Sequence, residues 1–219
     1  MNKRKEPWVV RSFFRAVRKA KKILFGRSER WHWSTDREYW ESHYSSGGAS
    51  GEGSVGDSRE AKWRFISEYV DVRDKTVLDV GCGDLSFWEG KDCRSYTGID
   101  FSESVVEKDR TIRPSWRFIA GDASADHHVS GQVVLCLDML FHIMSDDSYR
   151  RVLANLAHWT EEWLFIFTWF RSPFGRRATD GRYQYYRPLL ESLDVLAPLT
   201  LVRTRQYDSI GALYVFKRP

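Results

Sequence analysis

The segment Thr76-Val-Leu-Asp-Val-Gly-Cys-Gly-Asp84 constrains the fold of this chain more than any other stretch. A run of apolar, largely β-branched residues ends in an acid and is followed at once by Gly81 and Gly83. This order is typical of a buried parallel strand, a tight turn and the N-terminus of a helix. Because glycine has no Cβ, the turn can approach a ligand closely. The segment therefore predicts a nucleotide-like ligand at the carboxyl edge of a parallel sheet.

The local chemistry of this turn favours a cationic ligand over a dinucleotide. A dinucleotide-binding turn carries a third glycine at position 86, where this chain has Ser86. Asp79, which we place inside the turn, would repel a pyrophosphate but suits the positive charges of S-adenosylmethionine. A short NAD-dependent oxidoreductase is disfavoured further because the chain contains no Tyr-x-x-x-Lys pair.

Residues 77–83 resemble the first motif of the class I S-adenosylmethionine-dependent methyltransferases. Three further strand-end acids follow in the order of that family, namely Asp100, Asp122 and Asp138. Asp100 lies 19 residues after Gly81, at the spacing where a carboxylate accepts hydrogen bonds from ribose hydroxyls. The resemblance also implies that the Gly-Asp-Ala element containing Asp122 reaches the adenine amino group.

The resemblance implies a cofactor site that is assembled from four strand ends. Each acid alone could instead cap a helix or form a turn, so the prediction depends on their common order. Ser102 is the expected N-cap of the helix after the second strand. The predicted contacts to S-adenosylmethionine come from Asp79, Gly81, Cys82, Gly83, Asp100, Phe101, Asp122, Ala123, Leu137 and Asp138.

These signals predict an α/β, Rossmann-like fold with an N-terminal helical extension. The resemblance implies a seven-stranded mixed sheet, helices on both faces and an antiparallel last strand. A helix is predicted over residues 60–70, in which Trp63 and Phe65 supply apolar surface. We expect Lys62 and Arg64 of that helix to be more exposed.

Charge divides the chain into a basic arm and a mildly acidic body. Residues 1–30 contain eleven lysines and arginines against two acids, a net charge of +9, so the remainder carries −5. Residues 8–25 alternate apolar and basic positions as interfacial membrane helices do, although packing on the body or partial disorder would also fit. Since the body is acidic, we expect no nucleic-acid partner, although nucleic acid is a weaker alternative for the arm alone.

Three parts are predicted from these patterns: the basic amphipathic arm (1–30), an aromatic and glycine-rich segment (31–58) and the methyltransferase domain (59–219). The chain has no apolar run of about 20 residues and no signal-peptide pattern, and its three cysteines lack metal-ligand spacing. We therefore expect a cytoplasmic protein without a bound metal. Contact of the arm with the inner face of the membrane stays open.

Residues 45–56 are rich in glycine and serine and serve either as a passive linker or as a lid. We favour the lid, because many methyltransferases cover their cofactor with the segment before the first helix and strand. A tyrosine, Tyr44, followed by Gly-Gly-x-Ser-Gly-x-Gly-Ser and a charged helix, resembles the N-terminal element of a set of small bacterial methyltransferases. Tyr44 from this element is a candidate substrate contact.

The predicted catalytic residues lie after the fourth strand, in Asp138-Met-Leu-Phe-His142. This segment resembles that of small-molecule O-methyltransferases, and the ordinary pKa of histidine suits a general base. His142 is therefore the expected base beside Asp138, unless it only shapes the loop. Aromatic and guanidinium groups suit a sugar, planar or anionic acceptor, and the candidates are Trp169, Arg171, Tyr183, Tyr186 and Arg187.

The predicted function is transfer of a methyl group to a hydroxyl of a small molecule or glycan. An acceptor motif of the amino methyltransferases, Asn-Pro-Pro-Tyr, does not occur in the chain. An alternative from a different class is a non-catalytic cofactor-binding or membrane-recruited scaffold protein.

Overall fold

The apolar runs of the sequence form strands of one mixed sheet in the order β3-β2-β1-β4-β5-β7-β6. The computed structural model describes residues 35–171 and 183–219. Neighbours among the first five strands are parallel, and β7 inserts antiparallel between β5 and β6, as predicted. The strands are β1 (Thr76–Val80), β2 (Ser95–Asp100), β3 (Arg117–Ala120), β4 (Gly131–Leu137), β5 (Thr160–Trp169), β6 (Thr200–Gln206) and β7 (Gly211–Lys217).

Helices and short 3-10 segments connect these strands. The α-helices of the described residues are α1 (Asp36–Ser45), α2 (Gly56–Ser67), α3 (Glu103–Ile112) and α4 (Asp146–Trp159). Their 3-10 segments are Glu52–Ser54, Val72–Asp74, Ser86–Trp88, Leu140–His142 and Leu189–Leu196. Ser102 caps α3 as predicted, because its hydroxyl accepts the backbone N–H of Val105. Among the described helices, none is long and apolar enough to cross a bilayer.

The strands β1, β4 and β7 are buried on both faces, as interior strands of such a sheet are. In β4, Val133 and Leu135 join the apolar cluster that α2 and α3 cover. Val134 and Cys136 join the cluster on the opposite face, which α4 covers. The strand order reverses between β1 and β4. A crevice outside their carboxyl ends is therefore the expected ligand site.

The connection between β1 and β2 contains no α-helix, so the helix predicted after the glycine turn is wrong. A single 3-10 segment, Ser86–Trp88, follows Leu85, whose backbone is left-handed with φ of 61°. The Trp88 indole is buried and donates a hydrogen bond of 2.7 Å to Asp79 Oδ2. This large side chain, rather than a helix, covers that part of the sheet.

Lys62 in α2 is fully buried, which contradicts the exposed position predicted for it. The helical periodicity of a sequence separates buried from exposed positions only by the polarity of the residue at each position. It contains no information about an acid on a distant strand that pairs with the lysine inside the protein. Here the ammonium group forms an ion pair with Asp138, 76 residues away.

Candidate active site

The glycine turn after β1 lies against the ends of β2 and β4. Gly81 and Gly83 have φ values of +79° and +58°, which side chains with a Cβ rarely adopt. The N–H of Gly83 donates to Asp100 Oδ2 over 2.9 Å. A Cβ at Gly81 would lie 2.6 Å from Met139 Cγ. The turn is therefore a close-packed cradle at the carboxyl edge of the sheet.

Asp100 ends β2 and points both carboxylate oxygens at this edge. Oδ1 accepts the Ser102 N–H at 3.0 Å, and Oδ2 accepts the N–H of Gly83. Burial raises the pKa of Asp100, whereas these backbone N–H groups oppose that rise. Each oxygen keeps a second lone pair that can accept a ribose hydroxyl. The predicted ribose contact is thus compatible with the arrangement, and Phe101 follows directly.

Asp79 lies inside β1 rather than in the turn, so its predicted position is wrong. Its Oδ2 accepts hydrogen bonds from the Trp88 indole and, at 3.1 Å, from the Tyr96 hydroxyl. Burial raises the pKa of Asp79 to about 6, and these two hydrogen bonds oppose the rise. The hydrogen bonds of the Asp79 carboxyl group are thus made to side chains of the protein itself, next to the turn that contains Cys82.

Two further strand ends place the remaining predicted cofactor contacts at the same edge. The N–H of Gly121 donates to the backbone carbonyl of Asp100 over 2.8 Å, which ties the end of β3 to that of β2. Asp122 then accepts the N–H of Ser124 at 2.7 Å, and Ala123 is buried behind it. Leu137 ends β4 on the other side of the turn.

Asp138 and Lys62 form a buried ion pair beside the turn. Lys62 Nζ donates to Asp138 Oδ2 and, over 2.7 Å, to the carbonyl of Gly53, and it lies 4.3 Å from the centre of the Phe167 ring. Burial raises the pKa of Asp138, and the charge of Lys62 opposes the rise. Asp138 also has a left-handed backbone, with φ of 61°. The positive charge of Lys62 is therefore neutralised inside the protein by Asp138.

The glycine-rich segment covers the turn through a reciprocal pair of hydrogen bonds. The N–H of Ser50 donates to Asp84 Oδ2 over 2.9 Å, and the N–H of Asp84 donates to Ser50 Oγ over 3.1 Å. Tyr44 is buried, and its hydroxyl lies 3.3 Å from Ser50 Oγ. Tyr44 therefore faces the cofactor edge.

His142 lies in the 3-10 segment after β4, among aromatic rings. Its Nδ1 is 2.8 Å from the backbone carbonyl of Tyr183. The Trp40 ring meets the imidazole edge-on at 4.7 Å between centroids, and Phe141 flanks it at 4.6 Å. The structure thus places His142, the base predicted from the sequence, in the segment Leu140–His142 directly after β4.

Tyr183 connects His142 to helix α1. Its hydroxyl donates to Asp36 Oδ1 over 2.5 Å, and its ring stacks on Tyr39 at 4.1 Å with an interplanar angle of 3°. Asp36 Oδ2 also accepts the N–H of Met144. Burial raises the pKa of Asp36, whereas the hydrogen bonds from Tyr183 and Met144 oppose the rise.

The other predicted acceptor contacts divide into two groups. Trp169 stacks on Tyr186 at 4.8 Å and lies 4.5 Å from Phe141, so both belong to the aromatic surroundings of His142. Arg187 is buried and donates to Asp146 and to the carbonyls of Ile143 and Met144. These bonds favour a structural role for it.

Arg171 lies apart from these aromatic residues, on the exposed side of the hairpin between β6 and β7. Its Nε donates to the carbonyl of Ser209 over 2.9 Å. A guanidinium that holds a hairpin gives no support to the predicted acceptor contact.

Sequence reasoning missed four residues of the site, namely Asp36, Tyr39, Trp40 and Lys62. The aromatic composition of the segment before the glycine-rich stretch was the only signal for Tyr39 and Trp40. Asp36 and Lys62 carry no motif, because their partners are 147 and 76 residues away in the chain.

The residues at the sheet edge fit S-adenosylmethionine. The glycine cradle leaves no room for a Cβ, and Asp100 offers acceptors for hydroxyl groups. The ribose of this cofactor carries two such hydroxyl groups.

Comparisons with known proteins agree with this fit. Residues 77–162 match a family model described as a methyltransferase domain. Over 113 residues, the chain is 30% identical to the ubiquinone biosynthesis O-methyltransferase of Hydrogenovibrio crunogenus. This aligned segment covers 48% of this chain and 46% of that protein. The protein of the same name from Pseudomonas paraeruginosa is 32% identical over 111 residues, with 46% and 47% covered. The match thus spans less than half of each relative.

Solved structures share the fold at low sequence identity. The N-methyltransferase NodS from Bradyrhizobium japonicum, in complex with S-adenosyl-L-homocysteine, has a TM-score of 0.66 at 14% identity, covering 85% of this chain and 100% of that one. Magnesium protoporphyrin IX methyltransferase from Synechocystis, with bound S-adenosylmethionine, has a TM-score of 0.63 at 16% identity, covering 86% and 99%. Residues 77–162 are therefore similar to a methyltransferase domain, and the chain has the fold of these S-adenosylmethionine-dependent methyltransferases.

Proposed function

We propose that this protein is an S-adenosylmethionine-dependent O-methyltransferase that acts on a hydroxyl of a small molecule or glycan. The relatives with matching segments are named O-methyltransferases, and solved structures of the same fold contain S-adenosylhomocysteine or S-adenosylmethionine. The fold alone does not decide the acceptor atom, because its neighbours include an N-methyltransferase. The proposal therefore depends on the chemistry around His142.

The contact between His142 and Tyr183 is the observation that carries the proposal. A backbone carbonyl can only accept a hydrogen bond, so Nδ1 of His142 has to hold a proton. In the neutral ring Nε2 is then the basic nitrogen. A histidine in this state, beside the predicted cofactor edge, suits removal of a proton from an acceptor hydroxyl.

The residues of the sheet edge would hold the cofactor, which supplies an electrophilic methyl group when bound. Asp100 would accept ribose hydroxyls, and Asp122 would face the adenine. Removal of the hydroxyl proton by His142 makes the acceptor oxygen a stronger nucleophile. Aromatic rings exclude water from the reaction and favour a planar or sugar acceptor that stacks on them.

Two variants test the proposal when release of S-adenosylhomocysteine is measured with a panel of phenolic and sugar hydroxyl acceptors. His142→Ala should lower turnover by roughly 10²-fold or more, as loss of a general base does, and leave cofactor affinity nearly unchanged. Asp100→Ala should weaken cofactor binding by about 1.5–3 kcal/mol, the range for hydrogen bonds to a charged group.

His158→Ala is the matched control, because this histidine is exposed on α4. Unaltered turnover in His142→Ala would remove the base from the proposal. Cofactor binding without transfer to any hydroxyl acceptor would favour the scaffold alternative.

A further inference from the structure

The hydrogen bond that sets the protonated nitrogen of His142 depends on a carbonyl in an unusual backbone conformation. Tyr183 has φ of 59°, in the left-handed region that residues with a Cβ rarely adopt. Such a conformation persists only where surrounding contacts enforce it. The structure therefore has to hold Tyr183 from outside its own segment.

Three contacts hold Tyr183 and the residue two positions after it. The Tyr183 hydroxyl donates to Asp36 over 2.5 Å, and its ring stacks on Tyr39. Helix α1 therefore contacts the Tyr183 side chain at two points. The N–H of Tyr185 donates to the carbonyl of Phe141 over 2.7 Å, next to His142 itself. The carbonyl of Tyr183 is thus fixed against the 3-10 segment that carries His142.

Asp36 secures the same 3-10 segment from its other end. One carboxylate oxygen accepts the Tyr183 hydroxyl, and the other accepts the N–H of Met144 over 3.3 Å, two residues after His142. A single side chain of α1 therefore fixes both the residue that contacts His142 and the backbone that follows it. Trp40, one turn further along α1, packs edge-on against the imidazole.

We propose that Asp36 and Tyr183 are positioning residues, which act through the Tyr183 carbonyl to keep the proton of neutral His142 on Nδ1 and its basic lone pair on Nε2. The value of this arrangement for methyl transfer rests on the function proposed above. The arrangement itself does not, since it concerns only the protonation of one imidazole. Helix α1 then determines which nitrogen of His142 holds the proton, although His142 lies more than a hundred positions later in the chain.

Long-range proton–nitrogen NMR of the full-length protein labelled with 15N-histidine distinguishes the two neutral forms of His142. The His142→Gln spectrum identifies its signals. The wild-type ring should have its proton on Nδ1 at a pH where it is neutral. Tyr183→Phe, which keeps the aromatic ring but removes the bond to Asp36, should shift the ratio of the two forms toward Nε2–H by about fivefold, the factor expected for one ordinary hydrogen bond. Asp36→Ala should shift it at least as far.

Tyr207→Phe and Asp57→Asn are the matched controls, because both residues are exposed and lie outside this cluster. Asp36→Asn keeps one acceptor oxygen for the Tyr183 hydroxyl and should restore part of the Nδ1–H form that Asp36→Ala loses. A graded loss across Asp36→Asn and Asp36→Ala, with both controls unchanged, supports the proposal.

Two results would overturn it: an Nε2–H ring in the wild-type protein, or an unchanged ratio in folded Tyr183→Phe. Circular dichroism verifies folding, and Tyr183→Phe alone decides if Asp36→Ala does not fold. A shifted ratio in a protein that methylates no hydroxyl would leave the positioning role standing and refute the O-methyltransferase function instead.

Discussion

Two buried aspartates, one in β1 and one in α3, show how burial changes the protonation of a carboxyl group. Asp79 has two donors, and its pKa rises only to about 6. Asp109 in α3 is fully buried, and both of its oxygens lack a hydrogen-bond partner among the described residues. Burial and the charge of Asp100 raise the pKa of Asp109 to about 8. Asp109 is therefore protonated in the folded protein at neutral pH.

Replacement of Asp109 by asparagine should stabilise the protein increasingly as the pH rises. In the unfolded chain an aspartate has a pKa of about 4, so folding favours the protonated form of Asp109 between about pH 4 and pH 8. Its contribution to stability is therefore fully present below pH 4 and is lost across that window. The difference in free energy of unfolding between Asp109→Asn and wild type should grow by up to about 1.4 kcal/mol per pH unit.

Urea unfolding at several pH values between 4 and 8 measures this difference. The exposed Asp57→Asn, in α2, is the control and should show no such growth. Parallel pH dependences for Asp109→Asn and wild type would contradict the prediction.

At the scale of elements, the glycine-rich segment contacts the cofactor edge at several points. Ser50 and Asp84 exchange two hydrogen bonds, and Lys62 holds the carbonyl of Gly53. These contacts support the interpretation of residues 45–56 as a lid rather than as a passive linker. The predicted boundary of this part at residue 31 lies outside the described residues.

Two glycines of the lid should differ sharply when each is replaced by alanine. A Cβ at Gly53 would lie 2.6 Å from the carboxylate of Asp138, whereas one at Gly51 would have nothing within 4 Å. Gly53→Ala should therefore displace the lid or Asp138 and weaken binding of S-adenosylhomocysteine by roughly tenfold, since overpacking costs about 1–3 kcal/mol. Calorimetric titration measures this affinity, with Gly51→Ala as the matched control. Equal affinities for both variants would favour a passive linker.

At the scale of the whole molecule, the basic arm distinguishes this chain from a bare methyltransferase domain. Residues 1–30 carry a net charge of +9, and they lie outside the described residues. We propose that residues 8–25 attach the protein to an anionic membrane surface, where each Lys or Arg contributes about 1 kcal/mol. Packing of the arm on the body is the competing interpretation.

Deletion of residues 1–29 separates these two interpretations. The intact protein should co-sediment with vesicles that contain anionic lipid, and added salt should weaken this binding. The shortened chain, with a net charge of −4, should stay in the supernatant and still bind the cofactor. If the intact protein does not bind such vesicles at low salt and the deletion lowers the melting temperature, the arm packs on the body instead.

The sequence by itself determined the parallel strands, and it predicted the edge of the sheet at which we place the site. Apolar runs that end in acids specify parallel strands, and the carboxyl ends of neighbouring parallel strands meet at one edge. The glycine turn, Asp100 and Asp122 could therefore be placed together from local signals. His142 could be placed because it follows β4 directly along the chain.

Only the tertiary structure decided which side chains meet. Asp36 contacts Tyr183 and Lys62 pairs with Asp138 across long stretches of chain. A local pattern records the polarity and spacing of neighbours, but the partner of a buried charge is set by how distant segments pack. For the same reason Lys62 was expected at the surface and Asp79 in the turn. Both carry charges that the folded protein neutralises or shields with groups that the local sequence does not contain.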